Sequence, residues 1–260
     1  MKKFVLASLA GLALASGPAL AADMALKAPP PPPPPPGWTG CYVDAGVGYG
    51  LWNQDHFTET DPGRVPESST TTTGGRGWLG RIGAGCDIQF PVGGLGNWVV
   101  GLLGDYDFSN IHGTFQDSFI GFGGDEKLTH QWHAGARLGY VVVPQLLTYV
   151  SGGYTEARFG QVDFLTLFAP VAAPVGLNIG AHTYHGWWLG GGEEYAFTWL
   201  PIPGLFWRTE YRFSQFSTAD LPIVVTATGA PFGSAENMKK YEQTVTSSLV
   251  WRFNWGGAWH

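Results

Sequence analysis

The chain has 260 residues, enough for one large β domain or two ordinary ones. Only 13% of them are charged, about half the share of an ordinary soluble domain, whereas 39 are glycine, 12 tryptophan and 10 tyrosine. So little charge leaves little to spread over a water-facing surface, and glycine combined with aromatics favours strands and turns over helices.

In chain order, Lys2 and Lys3, the apolar run Phe4 to Ala15 and the small-x-small site Ala19-Leu20-Ala21 read as a secretory signal over residues 1–21. Its apolar run is shorter than the roughly 20 residues that a spanning helix needs. Without Lys2 and Lys3 the chain keeps 14 − 2 = 12 basic residues against 20 acidic ones, a formal charge of −8. That balance argues against nucleic acid as a partner, since such binding relies on clustered Lys and Arg. No long apolar run follows the signal. An exported chain of this kind is either soluble beyond the inner membrane or a β-barrel in an outer one.

Residues 22–37 read as a Pro-rich periplasmic spacer. Pro29 to Pro36 favour polyproline II, which reaches roughly 25 Å at about 3.1 Å per residue. Docking of this run onto the cell wall or another partner is a sharper reading that no residue supports.

Alternation then begins. From Cys41 to Leu51 the odd positions carry Cys, Val, Ala, Val, Tyr and Leu, while Tyr42, Asp44, Gly46, Gly48 and Gly50 lie between them. Period two makes this a strand with one apolar face. Residues 78–90 repeat the scheme, with Trp78, Ile82, Cys86 and Phe90 opposite Arg81 and Asp87. So do residues 98–108, with Trp98, Leu102 and Phe108 opposite Asp105 and Asp107, and residues 128–140, with Trp132, Leu138 and Tyr140 opposite His133 and Arg137. In residues 147–159 the odd positions are assigned to the apolar face because Glu156 and Arg158 occupy the other. Residues 186–197 and 207–213 follow, the latter placing Trp207, Tyr211 and Phe213 opposite Arg208, Glu210 and Arg212. Residues 245–253 place Leu249, Trp251 and Phe253 opposite Arg252.

These are eight strands. The links near residues 91–97, 142–146 and 198–205 are short, and those near 53–76, 109–127, 160–182 and 214–241 are long. Short turns at one end and long loops at the other predict an all-β, eight-stranded antiparallel up-and-down transmembrane barrel with periplasmic turns and extracellular loops, spanning residues 38–253. A tail, residues 254–260, follows it.

The string "GWWLGGGEEYAF" from Gly186 to Phe197 is intelligible in such a barrel, whose narrow interior favours side chains of limited bulk. Gly190 and Gly192 then face inward, and Trp187, Leu189, Tyr195 and Phe197 face lipid. Glu194 points inward. Buried charge costs several kcal/mol unless paired, so Asp44, Asp105, Glu194 and Glu210 are expected to meet Arg81, Arg137, Arg208 and Arg212 in an interior network that plugs the barrel.

The segments "GWTGCYVDAGVGYG", "GNWVVGLLGDYDFSNIHGTF", "GARLGYVVVPQLLTYVSGGY" and "GWWLGGGEEYAFTWLPIPGLFWRTEYRFSQF" resemble the small alphaproteobacterial outer-membrane barrels known as outer-membrane immunogenic or porin-like surface proteins, an OmpA-like eight-stranded family. The resemblance implies insertion into the outer membrane of a Gram-negative bacterium by the outer-membrane assembly machinery. It also implies a structural role in envelope integrity, surface antigenicity and no enzymatic reaction. Two departures stand out. Outward Glu193 replaces an apolar residue, which is tolerable near the periplasmic border. The tail "NWGGAWH" continues past the aromatic residue at which relatives tend to end.

Pairing Tyr49 with Trp78 also brings Cys41 opposite Cys86, because both pairs sum to 127. In an oxidising compartment the outcomes are a cross-strand disulfide or two lipid-facing thiols. Other chemistry is thin. His182 and His185, three apart, face opposite ways on an extended chain, and no Ser, His and carboxylate set converges. No catalytic, cofactor or metal site is therefore assigned. The apolar segment "GQVDFLTLFAPVAAPVGLNIGAH" either folds over the barrel mouth or contacts a host or neighbouring surface. The expected role is that of a surface barrel in contact with outer-membrane lipids. The alternatives are a small-solute porin, or a lipid-modifying hydrolase using His130 near the headgroups.

Overall fold

The computed structural model describes residues 37–253 except 118, 120 and 167–171. The expected signal segment, the spacer up to residue 36 and the tail 254–260 lie outside the described residues. Eleven strands are formed: β1 (Gly40–Thr60), β2 (Thr71–Pro91), β3 (Asn97–Gln116), β4 (Phe122–Val143), β5 (Leu146–Phe159), β6 (Val162–Thr166), β7 (Pro174–Ile179), β8 (His182–Ala196), β9 (Leu205–Phe216), β10 (Ala219–Val225) and β11 (Pro231–Phe253). All pairings are antiparallel, and β1, β2, β3, β4, β5, β8, β9 and β11 close into a ring through the β1–β11 pair.

The remaining strands extend that ring. The pairs Phe159 with His182 and Val162 with Ile179 both sum to 341, so β5 with β6, and β7 with β8, keep one register across a two-residue break. The pairs Gly186 with Phe216 and Ile223 with Ile179 both sum to 402, which makes β9 and β10 one interrupted strand as well. The long outer connections are thus present but built largely as sheet. Beyond the breaks, β1, β2, β3, β4, β6, β7, β10 and β11 form a second, upper ring of eight. Each break reverses the inward face. Phe159 and Val162 are both buried although an odd number of residues apart, as are Leu128 and Gln131 across an irregularity in β4. Single-residue bulges have this effect, since they shift a period-two pattern by one.

Following paired residues once around the lower ring gives the strand stagger. Starting at Tyr42 the path runs through Gly85, Leu103, Gly135, Gly153, Trp188, Ser214 and Glu242, and returns to β1 at Trp52, a shift of 52 − 42 = 10 residues. Such a shear tilts the strands by about 40° and leaves an interior that side chains can fill.

The outward face carries the membrane signature. Val43, Val47, Ile82, Val100, Leu102, Leu138, Val150, Leu189, Val245 and Leu249 are exposed. Exposed Phe90, Tyr140, Tyr195, Trp207 and Trp251 border them on the periplasmic side, and Tyr49, Trp78, Phe108, Tyr154 and Trp187 on the outer side. Twelve residues separate Trp78 from Phe90 along β2 and eight separate Trp187 from Tyr195 along β8. At about 3.3 Å per residue and this tilt, those are rises of about 20–30 Å, the height of a hydrocarbon band between aromatic girdles.

One face assignment is reversed. On β5 the odd residues Leu147, Tyr149, Ser151, Thr155, Ala157 and Phe159 are buried in the lumen, while Val150 and Tyr154 face lipid. Glu156 and Arg158 share that outward face but lie beyond Tyr154, past the girdle, so their charge never enters the hydrocarbon. Exposed Glu193 adjoins Tyr195 at the periplasmic border, where a carboxylate is tolerated.

Candidate functional site

The lumen is filled in layers. At the periplasmic end Trp38, Tyr42, Val99, Leu147, Tyr149, Ala196, Phe206 and Val250 form an apolar plug. The interior is therefore not restricted to small side chains, contrary to the expectation from barrel width. Glycines opposite the large rings make the room. A Cβ on Gly135 would lie 2.8 Å from Cζ2 of Trp188, which is buried in the lumen beside outward Trp187.

Above this plug lie two ionic clusters. In the lower one Glu194 is fully buried and accepts from Arg137 (3.1 Å), from Arg208 (3.1 and 3.0 Å) and from Arg252 (2.9 and 2.7 Å). Asp87 accepts from Arg137 and Arg252, and Asp44 from Arg208 at 3.0 Å. The three guanidiniums stand 4.6–4.9 Å from the centre of the Tyr42 ring. In the upper cluster Arg81 donates both Nε and Nη2 to Asp107 at 2.7 Å. Arg212 reaches Asp105 at 2.8 Å and Glu210 at 2.7 Å, and lies over the Trp188 ring at 4.2 Å. His133 Nδ1 is 2.8 Å from Asp105. Paired, multiply hydrogen-bonded charges of this kind are what a narrow interior tolerates.

The eight residues assigned to an interior network are thus all in the lumen, divided between two groups. Asp44, Arg137, Glu194 and Arg208 meet in the lower one, and Arg81, Asp105, Glu210 and Arg212 in the upper. Asp87, Asp107, His133 and Arg252 complete them. All four stand at inward positions, Asp87, Asp107 and His133 on strands that already supply network residues and Arg252 on β11, so the alternation marks them equally well. Asp105, Asp107 and His133 offer ligand atoms within 4.8 Å of one another. Their carboxylates already accept from Arg81 and Arg212, whose positive charge disfavours a cation there.

Higher in the lumen, Trp52, Leu79, Ile111, Leu128, Ala157, Phe159, Tyr184 and Phe216 form a second apolar cluster, and Lys240 is buried against three of its rings. Its Nζ lies 4.3 Å from the Phe159 ring centre, 5.0 Å from Trp52 and 5.2 Å from Tyr184, and donates to Glu126 at 2.7 Å and to Gln54. Neither Lys240 nor Glu126 falls within the strands that the sequence delimits, so nothing there marked them.

The upper ring has its own core of Phe115, Val162, Phe164, Leu177, Ile179, Ile223 and Met238. The apolar 160–182 segment supplies four of these residues, so its described part is wall and filling rather than a lid. Beside that core Glu236 accepts from Thr58 at 2.8 Å and lies 3.2 Å from His56 Nδ1. On the outer wall Cys41 and Cys86 are direct cross-strand neighbours and their sulfurs are bonded. His130 stacks on Tyr106, and His185 contacts Tyr154 and Glu156.

Closed shear, apolar belt, paired girdles and ionic filling define a small outer-membrane β-barrel, resident in the outer membrane of a Gram-negative bacterium. The fold is similar to that of the outer membrane protein OprG from Pseudomonas aeruginosa, at 9% identity and a TM-score of 0.50, covering 84% of this chain and 99% of that one. Neisserial surface protein A aligns at 16% identity and a TM-score of 0.41, over 83% of this chain and 98% of its own. The attachment invasion locus protein Ail of Yersinia pestis aligns at 11% identity and 0.36, over 82% and 99%. Identities this low speak to fold alone. No protein-family profile matches the sequence, and neither does any curated protein sequence.

Proposed function

We propose that the chain is a structural surface barrel of the outer-membrane immunogenic, porin-like kind, contributing to envelope integrity and presenting its outer turns as antigen, without enzymatic activity. The filled lumen carries this reading. Apolar plug, two ionic clusters, the caged Lys240 and an upper apolar core succeed one another along the axis, leaving side chains where a porin needs a continuous wet path. The outer-membrane assembly machinery and the surrounding lipids are its partners on this reading, and the Cys41–Cys86 bond fastens the first hairpin.

Planar-bilayer recording of the refolded protein, its barrel checked by heat-modifiable gel migration, tests it. No steady conductance is expected, and reproducible ohmic steps would replace the structural reading with a solute channel. A shifted lipid A mass spectrum in a deletion strain would favour a lipid-modifying hydrolase instead.

A further inference from the structure

The basic residues are placed very unevenly. Of the eleven Lys and Arg among the described residues, Arg81, Arg137, Arg208, Arg212, Lys240 and Arg252 are buried in the lumen. Arg64, in the β1–β2 connection, is held by Glu59 and Asp220. The other four, Arg76, Lys127, Arg158 and Lys239, face outward.

All four lie in one band. Arg76 is two residues beyond the girdle residue Trp78 and Arg158 four beyond Tyr154, while Lys127 is five beyond the half-buried outward Trp132 and Lys239 two beyond the half-buried outward Tyr241. On strands tilted by about 40° these spacings are heights of about 5–12 Å above the outer girdle. Among the described residues no Lys or Arg faces outward at the periplasmic girdle, where Glu193 stands instead.

Three of the four share one face. Arg76 pairs directly with His112 and His112 with Lys127, so a basic row crosses β2, β3 and β4, rising with the strand tilt from Arg76 to Lys127. Arg158 pairs with His130 on the adjoining strands and donates to Thr183 at 3.1 Å. Among the described residues none of Arg76, Lys127 and Arg158 has a carboxylate partner. Acids on the same outward face are Asp125, one outward position farther from the membrane on β4, Asp163 on β6, and Glu156, two residues from Arg158 and 3.3 Å from His185. Lys239 differs, since its cross-strand neighbour is Asp55 and it lies 5.5 Å from the Tyr241 ring centre.

Below the row the same strands present Trp78, Ile82, Leu102, Phe108 and Leu138 to lipid. A ligand for this face must carry anionic groups just above the hydrocarbon border and acyl chains below it. We propose that Arg76, His112, Lys127 and Arg158 form a docking face for the phosphorylated headgroup of an outer-leaflet, polyacylated glycolipid, whose chains lie along β2 to β5. The proposal rests on the chain being an outer-membrane barrel with its β1–β2 connection outside.

The test uses the full mature chain refolded in detergent micelles and then in vesicles doped with bisphosphorylated lipid A, or with lipid A lacking both phosphates. Lipid retained by the purified barrel is measured by native mass spectrometry. The triple variant R76Q/K127Q/R158Q should retain the bisphosphorylated lipid roughly 100-fold more weakly, about 5-fold for each charge removed near the surface. K239Q should match wild type, and the lipid lacking phosphates should be held weakly by all three proteins. Equal retention by wild type and the triple variant, or equal retention of both lipids, overturns the proposal. Loss in the triple variant of binding to a soluble sulfated polysaccharide, with lipid retention intact, overturns it too. Heat-modifiable migration is recorded for every sample, so failure to form the barrel is distinguished from failure to hold lipid.

Discussion

Neutralising Glu194 tests the ionic filling most directly. It accepts five hydrogen bonds from Arg137, Arg208 and Arg252 and is fully buried. In Glu194→Gln an oxygen remains to accept, but three guanidiniums lose the anion they share. Arg137 and Arg252 are left to Asp87, and Arg208 to Asp44. Breaking a buried pair costs about 3–5 kcal/mol, and because each arginine keeps one partner the lower end applies, about 3 kcal/mol. That is roughly a hundredfold in the folding equilibrium. The neighbouring variant Glu193→Gln alters a residue of the same type on the opposite face, at the membrane border, and should shift stability by less than about 1 kcal/mol. Urea unfolding from vesicles, followed by tryptophan fluorescence and by gel migration, reports both. Equal midpoints for wild type and Glu194→Gln, or a larger loss from Glu193→Gln, would refute the account of the lumen.

Lys240→Met should destabilise the barrel by about 3–5 kcal/mol because Glu126 loses its cation, and adding Glu126→Gln should recover most of that loss; a double variant no better than the single one argues against the pair. Alkylation of non-reduced, denatured protein should label neither Cys41 nor Cys86, with two labels appearing after reduction; two labels without reductant dismiss the bond. In the upper ring, outside the membrane span, burial and then the Asp117 carboxyl raise Glu236 to about 9, while burial and then the Lys240 charge lower His56 to about 4. A raised carboxyl contributes stability that is complete below the ordinary carboxylate range and is lost as pH climbs towards 9. A lowered imidazole contributes stability above pH 6.5 that is lost as pH falls towards 4. Glu236→Gln should therefore flatten the alkaline arm of the stability profile and leave the acid arm in place, as urea midpoints between pH 5 and 9 will show.

Much of the architecture is legible from alternation alone. Gly190, Gly192 and Glu194 point inward and Trp187, Leu189 and Tyr195 outward because a strand has only two faces and the barrel only two surroundings. The rule weakens where the surroundings converge. On β5 the lumen holds apolar material at both ends, Leu147 and Tyr149 below and Ala157 and Phe159 above, so polarity no longer separates inside from outside. Trp188 shares the inward parity of Gly190 and Glu194, but the room for so large a ring was not legible. That room is left by Gly135 of another strand, which becomes its neighbour only once the register is fixed. The upper ring escaped because each break reverses the inward positions, and a period-two search ends where the phase changes. Glu126 lies beyond such a break on β4, whereas Lys240 keeps the inward parity of Arg252 on unbroken β11 and escapes because the sequence reading begins the final strand only at residue 245.

The second ring bears on what the surroundings can touch. From Tyr49 to Thr60 β1 climbs eleven residues past the aromatic border, about 28 Å at this tilt. The hairpin tips therefore crown a rigid turret with its own packed interior, well clear of the bilayer. An antibody or phage approaching the cell would meet the turns near Pro62 and Gly229 first, and sequence drift there costs the membrane-embedded floor nothing.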